Sequence, residues 1–326
     1  MGRLSIVRFL WAVPVLAIVV TAHAAIPQSE RDVLLALYAS TDGDHWRNHN
    51  GWNGAAGTEC SWYGVTCDDA QEHVVGIDLF LNTMGGSLPS ISSLAALTSF
   101  DVSSNHITGA IPPLDALTNL DAIDVSYNQL TGSIPPLVAL TNLGNASFAV
   151  NYLSGPMPSL AGLEHLARFD AHGNYLTGSL SPLTDLPNLQ DLDVSSNRLT
   201  GPIPSLTGLT SLTSFHVGFN LLSGSFPILD GMTNLYDFDV RDNQLTGPLP
   251  PFGYTPSLSG LYISDNQLSG TLPEPPDPDQ LDGSFVCPNL FNPVPSAVWD
   301  SITNVHPWYR DCLPPPDSIY GDGFDG

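Results

Sequence analysis

Carboxylates recur along this sequence at one fixed position of a repeated segment, which one copy spells Asp124-Val-Ser-Tyr-Asn-Gln-Leu-Thr-Gly-Ser-Ile-Pro-Pro-Leu137. Four residues before the Asn of successive copies stand Asp78, Asp101, Asp124, Ser147, Asp170, Asp193, His216, Asp239 and Tyr262. Carboxylates held about 5 Å apart repel by just under about 1 kcal/mol even at the dielectric of water, so such a row favours cations or a positively charged partner. Paired carboxylates roughly 5–9 Å apart also serve glycoside hydrolysis. Any two Asp of the row meet that spacing, so it decides nothing.

Larger and cationic residues interrupt the small polar ones in the same segments: Phe80, Tyr127, Val150, Arg168, His172, His216, Phe219, Arg241 and Tyr262. Aromatic residues and Arg are enriched at interface anchors, which makes these nine the candidate partner-binding residues. Arg198, just past Asn197, is expected at an edge. No Ser, His and carboxylate fall in a nucleophile arrangement, and GxSxG is absent. His172 and His216 stand two segments apart, about 10 Å if segments stack like strands, which argues against a shared ligand or proton relay. No enzyme activity and no cofactor are expected.

Three shorter matches carry no chemistry. Gly321-Asp-Gly-Phe-Asp-Gly326 satisfies GxGxxG, but no helix can follow the last residue. Asp277, Asp279 and Asp282-Gly283 lack the spacing and terminal Glu of a calcium loop. Asn145-Ala-Ser147 is a glycosylation sequon placed on an expected strand.

Composition narrows the partner classes. The 326 residues hold 8 basic and 32 acidic side chains, a formal charge of −24, and no Lys. Nucleic acid and anionic membrane surfaces are disfavoured, because both need clustered cations. Arg3 and Arg8, the apolar run Phe9 to Val20 and Ala22-His23-Ala24 make a secretory signal peptide over residues 1–24. No later stretch approaches the roughly 20 apolar residues of a membrane span. An exported protein is expected, secreted, periplasmic or at the cell surface. Its four Cys then suggest two disulfides. Three pairings of Cys60, Cys67, Cys287 and Cys312 are possible, and pairing within each local couple fits a repeat array best.

The elements that position these residues follow from one period. Asn82, Asn105, Asn128, Asn151, Asn174, Asn197, Asn220, Asn243, Asn266 and Asn289 are each 23 residues apart. Such a period means stacked units. Three and five residues before the Asn, the columns through Val125 and Ile123 are apolar, as in a strand with one buried face. Four after it, Gly86 to Gly270 fill every place, which suits a bend with unusual backbone angles. Each segment therefore reads as a coil: a short strand, a turn at the Asn, and an extended return with few backbone partners. One coil cannot bury its apolar row, whereas a stack closes a single core. The buried Asn is expected to satisfy backbone groups from coil to coil, a structural role.

The columns match LxxLxLxxNxLxGxIP, and from about residue 74 to 295 the chain resembles plant-type leucine-rich repeats. One residue is missing just after the Pro column, which only Ser181 breaks, as in Ile134-Pro135-Pro136-Leu137. The resemblance implies an α/β repeat solenoid, a right-handed curved array of about ten 23-residue coils with a parallel concave β-sheet. ERDVLLALYAS, DGDHW and Cys60-Ser-Trp-Tyr-Gly-Val-Thr-Cys67 resemble the amino-terminal cap of such proteins. A capping box at Ser29-Glu-Arg-Asp32 should start a short helix. Ser296 to Asn304 should form a helical turn, with Trp299, Trp308 and Tyr309 sealing the last coil. The expected divisions are a signal peptide (1–24), a cap (25–73), repeats (74–273), a last coil with its cap (274–312) and a flexible acidic tail (313–326). That tail resembles aromatic-acidic tails of exported bacterial proteins.

The resemblance to receptor ectodomains and polygalacturonase-inhibiting proteins implies a binding module that holds a protein or glycan on its concave and lateral faces. The other reading is an acidic surface or matrix component that binds divalent cations. Asp is an ordinary filling of its column in this family, so the departures from the pattern point more sharply to function than the Asp row does.

Overall fold

A computed structural model describes residues 25–312 except 184, 276–278, 280, 282–283 and 304. The expected signal peptide, the tail, and Asp277, Asp282, Gly283 and Asn304 lie outside the described residues.

Each 23-residue segment makes one turn of a β-solenoid. Nine strands pair in parallel along one face: Val74–Asp78, Ser99–Asp101, Ala122–Asp124, Asn145–Ser147, Arg168–Asp170, Asp191–Asp193, Ser214–His216, Asp237–Asp239 and Gly260–Tyr262. The register advances by one whole coil, with Phe100 opposite Ile123 and Ile123 opposite Ala146. Val65–Cys67 adds an antiparallel edge strand from the amino-terminal region.

The register follows from burial. Ile123 and Val125 face inward, and so do Leu137, Leu140 and Leu143 on the far side of the same coil. Equivalent residues of each coil lie above and below, so the apolar columns become continuous rows. Phe148 meets Phe169 at 6.1 Å between ring centroids, and Phe215 meets Phe238 at 5.3 Å. A one-residue slip would turn these rows outward against the hydrophobic effect, which fixes the pairing.

The returns are more regular than the sequence suggests. Residues just past the Asn pair in parallel from coil to coil. One further sheet joins Thr108–Ala110, Gln129–Gly132, Tyr152–Pro156 and Tyr175–Thr177. Another joins Thr200–Pro202, Leu221–Ser225, Gln244–Pro248, Gln267–Gly270 and Leu290–Phe291. The Gly column works inside these strands. Gly132 has φ +80°, a region that costs any other residue, although a Cβ there would meet nothing closer than 3.5 Å. The convex segment folds into consecutive tight turns such as Leu140 N to Leu137 O at 2.8 Å and Leu143 N to Leu140 O at 2.9 Å, tied from coil to coil by side chains such as Asn142, whose Nδ2 donates to Thr118 O at 2.9 Å.

The buried Asn residues form a ladder. Asn128 Nδ2 donates to the carbonyls of Val125 (3.2 Å) and Ser126 (3.1 Å) in its own coil and of Val102 (3.0 Å) in the preceding one. Its Oδ1 accepts from Ile107 N of the preceding coil at 2.9 Å. The amide of each coil thus completes the turn of the coil before it. Asn82 closes the start by holding Asn48 O (3.0 Å) and N (2.8 Å). No apolar residue could satisfy so many buried backbone groups.

Both ends are covered. The helix Gln28–Ser40 buries Val33, Leu34, Leu37 and Tyr38, and a cluster of Tyr38, Trp46, Trp52 and Trp62 continues the core. The expected capping box is not formed. Pro27 occupies the cap position with no side-chain hydrogen bond, and Ser29 lies inside the first turn. Glu30 sets the helix instead: it is buried and accepts from Val74 N (2.8 Å) while meeting His73 Nδ1 (2.7 Å). At the other end the helix Ala297–Thr303 buries Trp299 and Ile302, and Trp308 is buried beside it. Disulfides join Cys60 to Cys67 and Cys287 to Cys312.

Candidate binding surface

The concave strands display their outward residues in columns, and the Asp column is largely occupied with its own backbone. Asp124 Oδ1 accepts from Ser126 N (2.9 Å) and Oγ (2.6 Å). Asp101 with Ser103 and Asp193 with Ser195 repeat that geometry. Each Asp-x-Ser is therefore a small turn lock. Where the Ser is replaced, the lock changes chemistry. Asp170 Oδ1 receives His172 N (3.1 Å) and faces His172 Nδ1 (2.8 Å). Asp239 Oδ1 receives Arg241 N (3.0 Å), and its Oδ2 pairs with Arg241 Nη2 (2.8 Å).

Arg241 is held on both sides, with Phe219 at 5.3 Å and Tyr262 at 5.2 Å from its guanidinium carbon. Tyr262 in turn stacks on Phe285 at 5.8 Å. Burial pushes the Asp239 carboxyl up from its ordinary value, and Arg241 and His216 oppose that rise. Arg168 is more open and forms an ion pair with Asp191 at 2.7 Å.

His172 and His216 are not independent, contrary to the expectation from their separation along the stack. Asp193 lies in the coil between them, and its Oδ2 stands 3.9 Å from His172 Nδ1 and 3.8 Å from His216 Nδ1. His216 Nε2 also meets Asp237 at 3.2 Å. Asp193 and Asp237 together push the His216 pKa up to about 10. Asp170 raises that of His172, with Asp193 adding to it. Burial works against ionisation of Asp193, but its hydrogen bonds with His216 and Ser195 outweigh this and lower its pKa.

Two hollows lie along the face. The larger, about 460 Å³, is lined by Ser99, Ala122, Asn145 and Ser147 together with Tyr127, Arg168, Asp101, Asp124 and Asp170. Burial, with the neighbouring charge of Asp101 adding to it, raises the Asp124 carboxyl, so a cation there would find an underneutralised site. The other, about 340 Å³, runs between His216, Phe219, Arg241 and Tyr262. Tyr127 also meets the His172 ring edge-on at 6.5 Å. Phe80 is exposed at the amino-terminal end, away from both hollows.

Val150 turns to the lateral side, beside Tyr152 and Tyr175. Tyr152 and Tyr175 stack at 6.3 Å, and Arg198 lies over Tyr175 at 4.7 Å. Sequence reasoning passed over this strip, although the column one past the Asn records it: Gln129, Tyr152, Tyr175, Arg198 and Leu221.

No curated protein matches the sequence. The family described as Leucine rich repeat N-terminal domain matches residues 27–68, and Leucine Rich Repeat matches residues 119–140 and 188–209. Among solved structures, the leucine-rich repeat ectodomain of the membrane receptor kinase GASSHO1/SCHENGEN3 from Arabidopsis thaliana, in complex with CASPARIAN STRIP INTEGRITY FACTOR 2, is 27% identical. That match covers 80% of this chain and 36% of the receptor chain, with a TM-score of 0.61. The plant peptide hormone receptor RGFR1 in complex with RGF2 is 30% identical over 64% of this chain and 38% of its own, with a TM-score of 0.52. A plant ice-binding protein shares the fold at 24% identity, covering 82% of this chain and 88% of that one, with a TM-score of 0.66. The chain spans little more than a third of the two receptor chains. These relatives are plant proteins and give no support to the bacterial source suggested by the tail. Among the described residues no helix is long and apolar enough to cross a membrane. With an amino-terminal cap, an asparagine-laddered 23-residue period and a parallel solenoid, the fold is that of a leucine-rich repeat solenoid, and the chain is similar to plant receptor ectodomains.

Proposed function

We propose that this protein is an exported, non-catalytic binding module that takes an extended protein segment along its concave face. The observation that carries this reading is the larger hollow. Small polar residues and Ala122 line it, Tyr127 stands 53% exposed among them, and Asp101, Asp124 and Asp170 share it. That hollow accepts a main chain along its small residues and a Lys or Arg side chain against Asp101 and Asp124. The partner is therefore a segment with basic side chains, which the formal charge of −24 also attracts over distance. Structural relatives that hold CASPARIAN STRIP INTEGRITY FACTOR 2 and RGF2 support a protein partner over a glycan. The second reading, a cation-binding Asp row, is weakened by the Ser103, Ser126 and Ser195 locks and keeps its strength at one place only.

Panning a random peptide display library on the wild-type protein tests the proposal. It should enrich sequences that contain Lys or Arg, and a variant carrying Tyr127→Ala with Asp124→Asn should lose that enrichment. Asn at 124 keeps an acceptor for Ser126, so the turn lock survives. No enrichment, or equal enrichment by the variant, would sink the reading.

A further inference from the structure

Two of the concave coils replace the ordinary filling of the repeat with His, and they flank an Asp of the ordinary kind. His172 takes the place that Ser103, Ser126 and Ser195 fill in other coils, and His216 takes the place of the Asp. Asp170, His172 and Asp193 each bring one ligand atom within 4.8 Å of the others. His172 Nδ1 stands 2.8 Å from Asp170 Oδ1 and 3.9 Å from Asp193 Oδ2, either side of the edge of about 3.4 Å expected for ligands about 2.1 Å from a tetrahedral ion.

We propose that Asp170, His172 and Asp193 form a binding site for a divalent transition-metal ion of the zinc class. The chemistry of the donors selects the ion. Two carboxylates balance its charge, and an imidazole nitrogen suits zinc, copper or nickel, whereas calcium prefers about six to eight oxygens. Asp193 Oδ1 is occupied by Ser195, which fixes the carboxylate and leaves Oδ2 turned toward both His rings. Tyr127 covers the edge of the His172 ring. Water fills the remaining position. The three side chains are between 27% and 29% exposed, so an ion reaches them directly from solvent. This inference does not rest on the protein partner.

Calorimetric titration of the full chain with zinc chloride at mildly alkaline pH tests it, since imidazole ligates unprotonated. One saturable equivalent is expected, and His172→Ser or Asp193→Ser should weaken uptake roughly tenfold or more. Both substitutions restore residues that other coils carry at those columns, as at Ser126 and Ser147, so the coil is kept. His106→Ala, at an exposed histidine elsewhere, should change nothing. Absent uptake, or uptake unaltered by His172→Ser, overturns the proposal. Cobalt gives a second measurement on the unmutated chain. An intensified visible band shows low-symmetry ligation, and an unchanged hexaaqua spectrum counts against the site.

Discussion

His216 Nε2 stands 3.2 Å from the carboxylate of Asp237 in the next coil. With Asp193 on the other side, the ring holds its proton up to about pH 10, against an ordinary value of 6.5. A folded pKa raised in this way stabilises fully below about pH 6.5, and the contribution is lost as pH climbs through about 10. The shift corresponds to at most about 5 kcal/mol, and the ring's partial exposure to water reduces this to a few. The melting midpoint should therefore fall progressively across that window, and His216→Gln should flatten the fall. A flat wild-type profile would contradict this assignment.

Asn128→Ala should be severely destabilising. The change leaves buried Ile107 N without its partner and takes one of two donors from the carbonyls of Val102, Val125 and Ser126, which keep Asn105 Nδ2, Asn151 Nδ2 and Ser104 N. At about 1–3 kcal/mol for the unsatisfied N–H and about 0.5–1.5 kcal/mol for each of the three bonds lost, with partial relaxation, a loss of about 3–5 kcal/mol is expected. Urea unfolding monitored by circular dichroism measures it. A loss under about 1 kcal/mol would refute the ladder's energetic role.

The two Arg of the concave face should behave differently. Arg241→Ala removes a guanidinium held between Phe219 and Tyr262 and leaves the buried Asp239 without its cation. A cost of about 2–4 kcal/mol follows. Arg168→Ala breaks an exposed pair with Asp191 and should cost about 0–1 kcal/mol. Equal losses in parallel denaturation curves would show that the stacked setting of Arg241 is energetically idle.

Val150 should tolerate replacement by a smaller polar residue with a gain. Its φ of 50° lies in the left-handed region, which is most costly for a β-branched side chain. Other coils place Ser196, Asp242 or Asp265 at that column. Val150→Asn should raise stability by about 1 kcal/mol, read as a higher melting midpoint. A lowered midpoint would mean that apolar contacts of Val150 outweigh the backbone strain. Tyr127 and Phe219 share the same backbone region, at φ 52° and 56°, so apolar bulk is retained there against a conformational cost.

The coil was legible because stacking forces equivalent residues into equivalent surroundings: Ile123 and Phe100 face one core, so both are apolar. The return sheets were not, because their ladders are made by main-chain groups around Gly132 and Gly155 that leave no apolar alternation in the sequence. The capping box at Ser29 failed because a distant contact, Glu30 to Val74 N, decides where the helix lies. The pairing of the two His residues through Asp193 escaped for a geometric reason. Counting coils measures backbone separation, whereas both imidazoles reach from either side toward one carboxylate. The lateral stack of Tyr152 and Tyr175 was hidden by attention to the strand columns alone.

The asparagine ladder also gives the array a direction in time. Because Asn128 supplies the bonds that finish the turn of the coil before it, no coil is complete until its successor has been made. On a ribosome the amino-terminal region emerges first and offers Asn48 to Asn82, so folding can advance in the order of synthesis with one unfinished coil always at the growing end. The last unit has no successor, and the covalent tie from Cys287 to Cys312, with Trp308 buried beside it, stands where the next asparagine would have come.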